Sequence, residues 1–201
     1  MLILASSSRY RHELLARLRL PIEVIVPDVD EAPVAGESPM ALAIRLARAK
    51  TARVQQRQRD GRHPPRFVIG SDQVATLDGR TPIGKPGNHE RAVRQLREAS
   101  GRDMLFYTAV CVMRTDQADH RQACVTTRVR FRSLDDDAIE RYLRLETPYD
   151  CAGSAKSEGL GISLLRAIDS PDPTALVGLP LIAVCDLLGQ AGLDVLAAQR
   201  A

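Results

Sequence analysis

Short apolar runs and amphipathic helical stretches alternate along nearly the whole of this chain, which restricts it to folds that pack helices on a sheet. Residues 2–5 are an apolar run ending in Ser6, Ser7 and Ser8, and residues 9–19 follow with Leu14, Leu15 and Leu18 on one side. This reads as strand, capped turn and helix. Residues 22–26 read as a second strand, and Pro27, Asp28, Asp30, Pro33 and Gly36 mark a loop. Pro39 opens a long helix that carries Leu42, Leu46 and Ala49 at helical spacing and, beyond them, Lys50.

Residues 57–65 are charged and contain Pro64 and Pro65, which marks a surface connection. The apolar run at 67–69 starts a buried strand that leads into Gly70, Ser71, Asp72, Gln73 and Val74, so a carboxylate stands where that strand emerges. Asp78-Gly79 is a hairpin turn signal. A helix over about 90–99 ends at Gly101, and β-rich runs near 105–113 and 124–131 form an antiparallel hairpin. Ser133 caps a helix bearing Ile139, Tyr142 and Leu143; Asp135, Asp136 and Asp137 complement its N-terminal dipole rather than hold a metal. A Gly/Ser-rich loop at 153–161 precedes another β-like run, and Pro180 opens a last helix with Leu181, Val184, Leu187 and Leu188. No repeat and no internal boundary interrupts the pattern. The expectation is a single α/β domain over residues 1–201, with a mixed, elongated sheet flanked by helices.

Composition narrows the function classes. At 201 residues and 44% hydrophobic content the chain can bury a core without staples, so Cys111, Cys124, Cys151 and Cys185 read as reduced core residues. The opening apolar run lacks a basic leader and is too short for a signal peptide, and no stretch is long enough to span a bilayer, which points to a cytoplasmic protein. A net charge of +3 with no Trp and 3% aromatic residues leaves little material for stacking nucleic acid, and suits small anionic ligands better. Only Lys50, Lys85 and Lys156 among the 28 basic residues are lysine, which singles them out for point-charge roles that a guanidinium fills badly. Phosphate-loop, dinucleotide-fold, zinc-protease and serine-hydrolase motifs are absent. His12, His63, His89 and His120 stand singly in polar surroundings and read as solvated.

What remains sits at the ends of elements. Residues 6–8 and Arg11 offer hydroxyls, backbone N–H groups and a guanidinium at a helix N-terminus, suited to phosphate. Asp30-Glu31 lies in a Pro-rich loop, and Gly84-Lys85-Pro86 puts a lysine in a tight turn. Two carboxylates, an arginine and lysines are the parts needed for metal-assisted hydrolysis at phosphorus.

The motifs LASSSRYR at 4–11, DVDE at 28–31, RLARAK at 45–50, IGSDQV at 69–74, IGKP at 83–86, FYTAV at 106–110, CAGSAKSEG at 151–159 and LVGLPL at 176–181 occur in order. With them the sequence resembles the Maf-type nucleoside triphosphate pyrophosphatases, related in fold to inosine triphosphate pyrophosphatases. The resemblance implies hydrolysis of a nucleoside triphosphate to monophosphate and diphosphate, with Mg²⁺ or Mn²⁺ as cofactor. It implies Asp72 as proton acceptor and metal partner, Glu31 as second acidic metal residue, Arg11, Lys50 and Lys85 as phosphate-binding cations, and Ser6 as a polar contact beside Arg11.

Gln73 and Glu158 resemble the branch acting on 7-methyl-GTP, where the pyrimidine branch, acting on dTTP or UTP, carries Thr and Gln. A carboxylate at 158 can accept both the N1–H and the exocyclic N–H of guanine. Tyr10 stands where that branch often has Trp, and a cationic 7-methylguanine would stack on its ring. His12 replaces a second Arg. The resemblance also suggests a homodimer, and, as a reading of another class, a non-catalytic regulator of septum formation that binds nucleotide or nucleic acid.

Overall fold

The computed structural model describes residues 1–59 and 64–199, so His63 and most of the charged 57–65 connection's centre lie outside the described residues. Strands β1 (Leu2–Leu4), β2 (Ile22–Val24), β3 (Phe67–Thr76), β4 (Asp103–Arg114), β5 (His120–Phe131) and β6 (Leu165–Asp169) form one sheet in the order β2-β1-β3-β4-β5-β6. β1 runs parallel to β2 and β3, and every other neighbouring pair is antiparallel, so the sheet is mixed. Helices α1 (Arg9–Ala16), α2 (Pro39–Arg57), α3 (His89–Ala99), α4 (Asp136–Glu146) and α5 (Leu181–Gln190) cover its two faces. The α/β reading of the sequence holds.

The alternation of side chains along β3 decides what each face receives. Val74 and Gly70 face α2, where Leu42, Leu46 and Ala47 form a core with Ala109 and Cys111. Helix and strand approach so closely at Gly70 that an added Cβ would lie 2.3 Å from Thr51 Oγ1 and 2.8 Å from the Ala47 carbonyl. The opposite face carries two cores. Ile69 and Val110 join α1 and α5, whereas Ala75, Met104 and Phe106 join α3 and α4. Between those cores the face turns polar at Ser71, Gln73 and Thr108, and the segment 175–178 lies against this row.

Several local expectations are corrected. Asp72 lies in the middle of β3, paired across to Ala109, and not where the strand emerges. The strand continues because Val74, Ala75 and Thr76 are buried, as Val68 and Ile69 are. The cap of α4 is Asp135, whose carboxylate accepts from Ala138 N at 2.7 Å, rather than Ser133. Asp136 pairs with Arg97 Nε at 2.8 Å, so the acidic triplet serves a helix start and a surface ion pair. Helix α1 stops at Ala16, short of residue 19, and Arg19 takes a left-handed φ of 55°. All four cysteines are free, but only Cys111 is buried. His89 is not simply solvated: its Nδ1 is 3.0 Å from Tyr149 Oη and its Nε2 is 3.1 Å from Glu140 Oε2.

Candidate active site

β1 pairs with β3 only as far as Leu4 opposite Ile69. The chain then turns away through residues 6–8 into α1, with Ser8 accepting from Arg11 N as N-cap. The edge of β3 beyond Ile69 is thereby left open at the carboxyl end of parallel β1, the position where α/β sheets hold ligands. A cleft of about 840 Å³ occupies it, lined by all nine residues singled out in the sequence: Ser6, Tyr10, Arg11, Glu31, Lys50, Asp72, Gln73, Lys85 and Glu158.

Lys50 organises the floor. From α2 its Nζ reaches Asp72 Oδ1 at 2.6 Å and Glu31 Oε1 at 2.8 Å, with the lysine and the aspartate both buried and Glu31 62% exposed. A buried ammonium and a buried carboxylate each require a partner, and here they supply it to one another. Burial works to raise the Glu31 carboxyl, but its hydrogen bond to Lys50 and the charges of Lys50, Lys85 and Arg11 outweigh that and hold it below the usual glutamate value. Arg11 is lowered by burial, with Asp72 and Glu31 acting against that shift. It remains a cation, because its ordinary value lies far above neutrality.

Arg11 is aimed by a chain of contacts that the sequence did not reveal. Ser71 Oγ lies 2.8 Å from the Gly178 carbonyl, and Gln73 Nε2 donates to Thr108 Oγ1, Ala175 O and Leu176 O at 2.9–3.0 Å. The polar row of β3 and β4 thus pins residues 175–178. Gly178 O in turn accepts from Arg11 Nε at 2.9 Å, and Arg11 Nη1 is 3.4 Å from Ser6 Oγ. Gly178 has φ 114°, and an added Cβ would stand 3.4 Å from Arg11 Nε, so both backbone and neighbour favour glycine there. The amide nitrogen of Gln73 is likewise committed to the protein.

The far wall consists of two loops tied together. Gly87 N donates to Tyr149 O at 3.0 Å, Gln95 Nε2 donates to Gly84 O at 3.0 Å, and Ser154 Oγ donates to Gln95 Oε1 at 2.6 Å. Together with the His89 contacts, these hold the Lys85 turn against the loop that carries Cys151. Lys85 itself is exposed at the cleft and makes no ion pair among the described residues. Lys156 Nζ stands 5.6 Å from the Tyr10 ring centroid and 3.0 Å from Glu146 Oε1.

Residues 1–191 match the family described as Maf-like protein. The chain belongs to the Maf family. A 7-methyl-GTP pyrophosphatase of Burkholderia thailandensis is 59% identical over 191 residues, covering 95% of this Maf chain and 87% of that protein. One of the same name from Polaromonas sp. is 56% identical over 196 residues, covering 98% and 87%. A solved dITP/XTP pyrophosphatase from Mycobacterium abscessus aligns with 65% of the Maf chain and 73% of its own at a TM-score of 0.40 and 13% identity, an overlap too partial to build on.

Pyrophosphatases of this kind use a divalent metal ion. No group of three or more His, Cys, Asp or Glu among the described residues could hold a metal by side chains alone. Asp72 and Glu31 are nevertheless neighbours, each bonded through one oxygen to Lys50 Nζ, and two hard carboxylates with their second oxygens outside those bonds, completed by phosphate oxygens, suit Mg²⁺ or Mn²⁺. The residues fit.

Proposed function

We propose that this Maf protein hydrolyses 7-methyl-GTP to 7-methyl-GMP and diphosphate, removing a modified nucleotide. The observation that carries the reading is one cleft in which Asp72, Glu31 and Lys50 meet, Arg11 and Lys85 stand beside them, and Tyr10, Gln73 and Glu158 line the same space. The 7-methyl-GTP pyrophosphatase name shared by relatives at 59% and 56% identity supports the choice of base.

In this mechanism Arg11, Ser6, Lys50 and Lys85 bind the triphosphate and offset charge that builds on its oxygens. Asp72 accepts the proton of a water attacking the α phosphorus, and the bond to the α–β bridging oxygen breaks with diphosphate leaving. Lys50, between Asp72 and Glu31, keeps both carboxylates at the reacting end. A divalent cation held by Asp72 and Glu31 would supply Lewis-acid stabilisation of the phosphoryl oxygens. Glu158 accepts the N1–H and amino group of guanine, Gln73 Oε1 offers a second acceptor, and Tyr10 stacks on the base.

We take residues 1–201 as one Maf-like domain, working as a cytoplasmic homodimer with neither nucleic acid nor membrane as partner. Among the described residues no helix is long and apolar enough to cross a membrane. The test is diphosphate release from 7-methyl-GTP, GTP, dTTP, UTP and CTP with Mg²⁺ or Mn²⁺. Preference for 7-methyl-GTP is the expected result. Preference for dTTP or UTP would keep the chemistry and overturn the base assignment, and salt-sensitive DNA binding without turnover would replace the enzyme by the septum regulator.

A further inference from the structure

The cleft is polarised along its length. Arg11, Lys50 and Lys85 line the proposed phosphate end, whereas Tyr10, Glu146, Asp150, Lys156 and Glu158, three carboxylates and one ammonium among them, line the same cleft beyond. Glu146 is already neutralised, since its Oε1 is 3.0 Å from Lys156 Nζ and its Oε2 accepts from Leu160 N at 2.8 Å. Asp150 and Glu158 are exposed and make no ion pair among the described residues. Burial first, with Cys151, Asp150 and Glu158 in the same direction and Lys156 against them, raises the Tyr10 phenol. Lys156 has settled its ammonium 5.6 Å from the centroid of that ring. The protein's own cation therefore marks the aromatic surface as a place for positive charge.

We propose that this end of the cleft reads the charge of the base: Asp150 selects nucleoside triphosphates whose purine is made cationic by alkylation of a ring nitrogen, and Lys156 holds the Tyr10 ring until such a base replaces it. The proposal rests on the substrate reading above and extends it. Glu158 has a hydrogen-bonding task with any guanine, methylated or not, whereas Asp150 has none and, beyond the neutral Cys151 Sγ 3.5 Å from its Oδ1, keeps an uncompensated negative charge. Its attraction does not depend on the size of the alkyl group, so larger 7-alkyl-GTPs, which keep the guanine edge that Glu158 reads, become substrates as well. The reaction is unchanged: water adds to the α phosphorus, the bridging oxygen leaves with diphosphate, and the base is untouched.

The deciding probe is 7-deaza-7-methyl-GTP, which keeps the shape of 7-methyl-GTP and lacks its charge. The kcat/KM for the charged nucleotide should exceed that for the uncharged one by about tenfold at low salt, and the ratio should shrink as salt rises. In Asp150→Asn the ratio should fall by about threefold or more, and in Lys156→Gln it should rise. Equal turnover of the two nucleotides by the native protein, or an unchanged ratio in Asp150→Asn, overturns the proposal. Failure of the substrate reading looks different, because 7-methyl-GTP would then show no advantage over GTP.

Discussion

The two ends of the cleft are built from different material. At the proposed phosphate end, Lys50 and Asp72 project from a helix and the middle of a strand, are almost fully buried, and hold each other at 2.6 Å. At the proposed base end, Asp150, Lys156 and Glu158 ride on a loop with only short 3₁₀ turns, with Asp150 and Glu158 exposed and Lys156 half-buried against Glu146. Rigid elements place the groups whose geometry the chemistry needs, while the loop presents groups that can change without disturbing the sheet. Substitutions at the first end should therefore strike kcat and stability, and those at the second should strike KM and choice of base.

The largest expected effect is that of Asp72→Asn. Lys50 keeps its bond to Glu31, so the fold survives, and kcat should drop by about 10²–10⁴-fold with KM little changed. A single-turnover assay that found full activity would break the division. Lys50→Met comes next, because it leaves the buried Asp72 carboxylate facing Glu31 without a cation. Denaturant unfolding should show a loss of about 3 kcal/mol in addition to the loss of turnover. Tyr10→Ala should raise KM for 7-methyl-GTP by about tenfold and leave kcat within about threefold, since stacking on an aromatic ring is worth about 1–3 kcal/mol per base. A kcat loss as large as that of Asp72→Asn would place the ring at the reacting end instead.

The smallest effect is a pH dependence. Lys50, Lys85 and Arg11 hold the Glu31 carboxyl below its unfolded value, so its contribution to stability is present above that value and lost as pH falls through the lowered one. Thermal melts from pH 7 downward should show a shallower acid decline for Glu31→Gln than for the native protein. An identical decline would mean that Lys50 draws its partnership from Asp72 alone.

Part of the candidate site stands out in the sequence as chemical misfits, and the rest of its residues are singled out only by the family resemblance. Asp72 interrupts an apolar run, and Lys50, Lys85 and Lys156 stand out in an Arg-rich chain. The position of Asp72 within β3 was misjudged because Gly70-Ser71 looks like the end of an apolar strand. Those two residues are instead a close approach to α2 and an anchor for residues 175–178. That anchoring has no trace in the sequence, since Ser71 and Gln73 lie more than 100 residues and Thr108 lies 67 residues from their partners in 175–178, and a hydrogen bond to a backbone carbonyl leaves no signature. His89 was misread for the same reason: its partners Glu140 and Tyr149 come from distant elements. Asp150 had no signal of its own, being one exposed acidic residue among many.

The account's central claim is that water attacks the α phosphorus at the Lys50–Asp72 end of the cleft. Hydrolysis of 7-methyl-GTP in ¹⁸O-labelled water, with mass analysis of both products, tests it most directly. The label is predicted in 7-methyl-GMP and not in diphosphate, and its formation should collapse in Asp72→Asn. Label in the diphosphate, or release of monophosphate from the γ position, would contradict it.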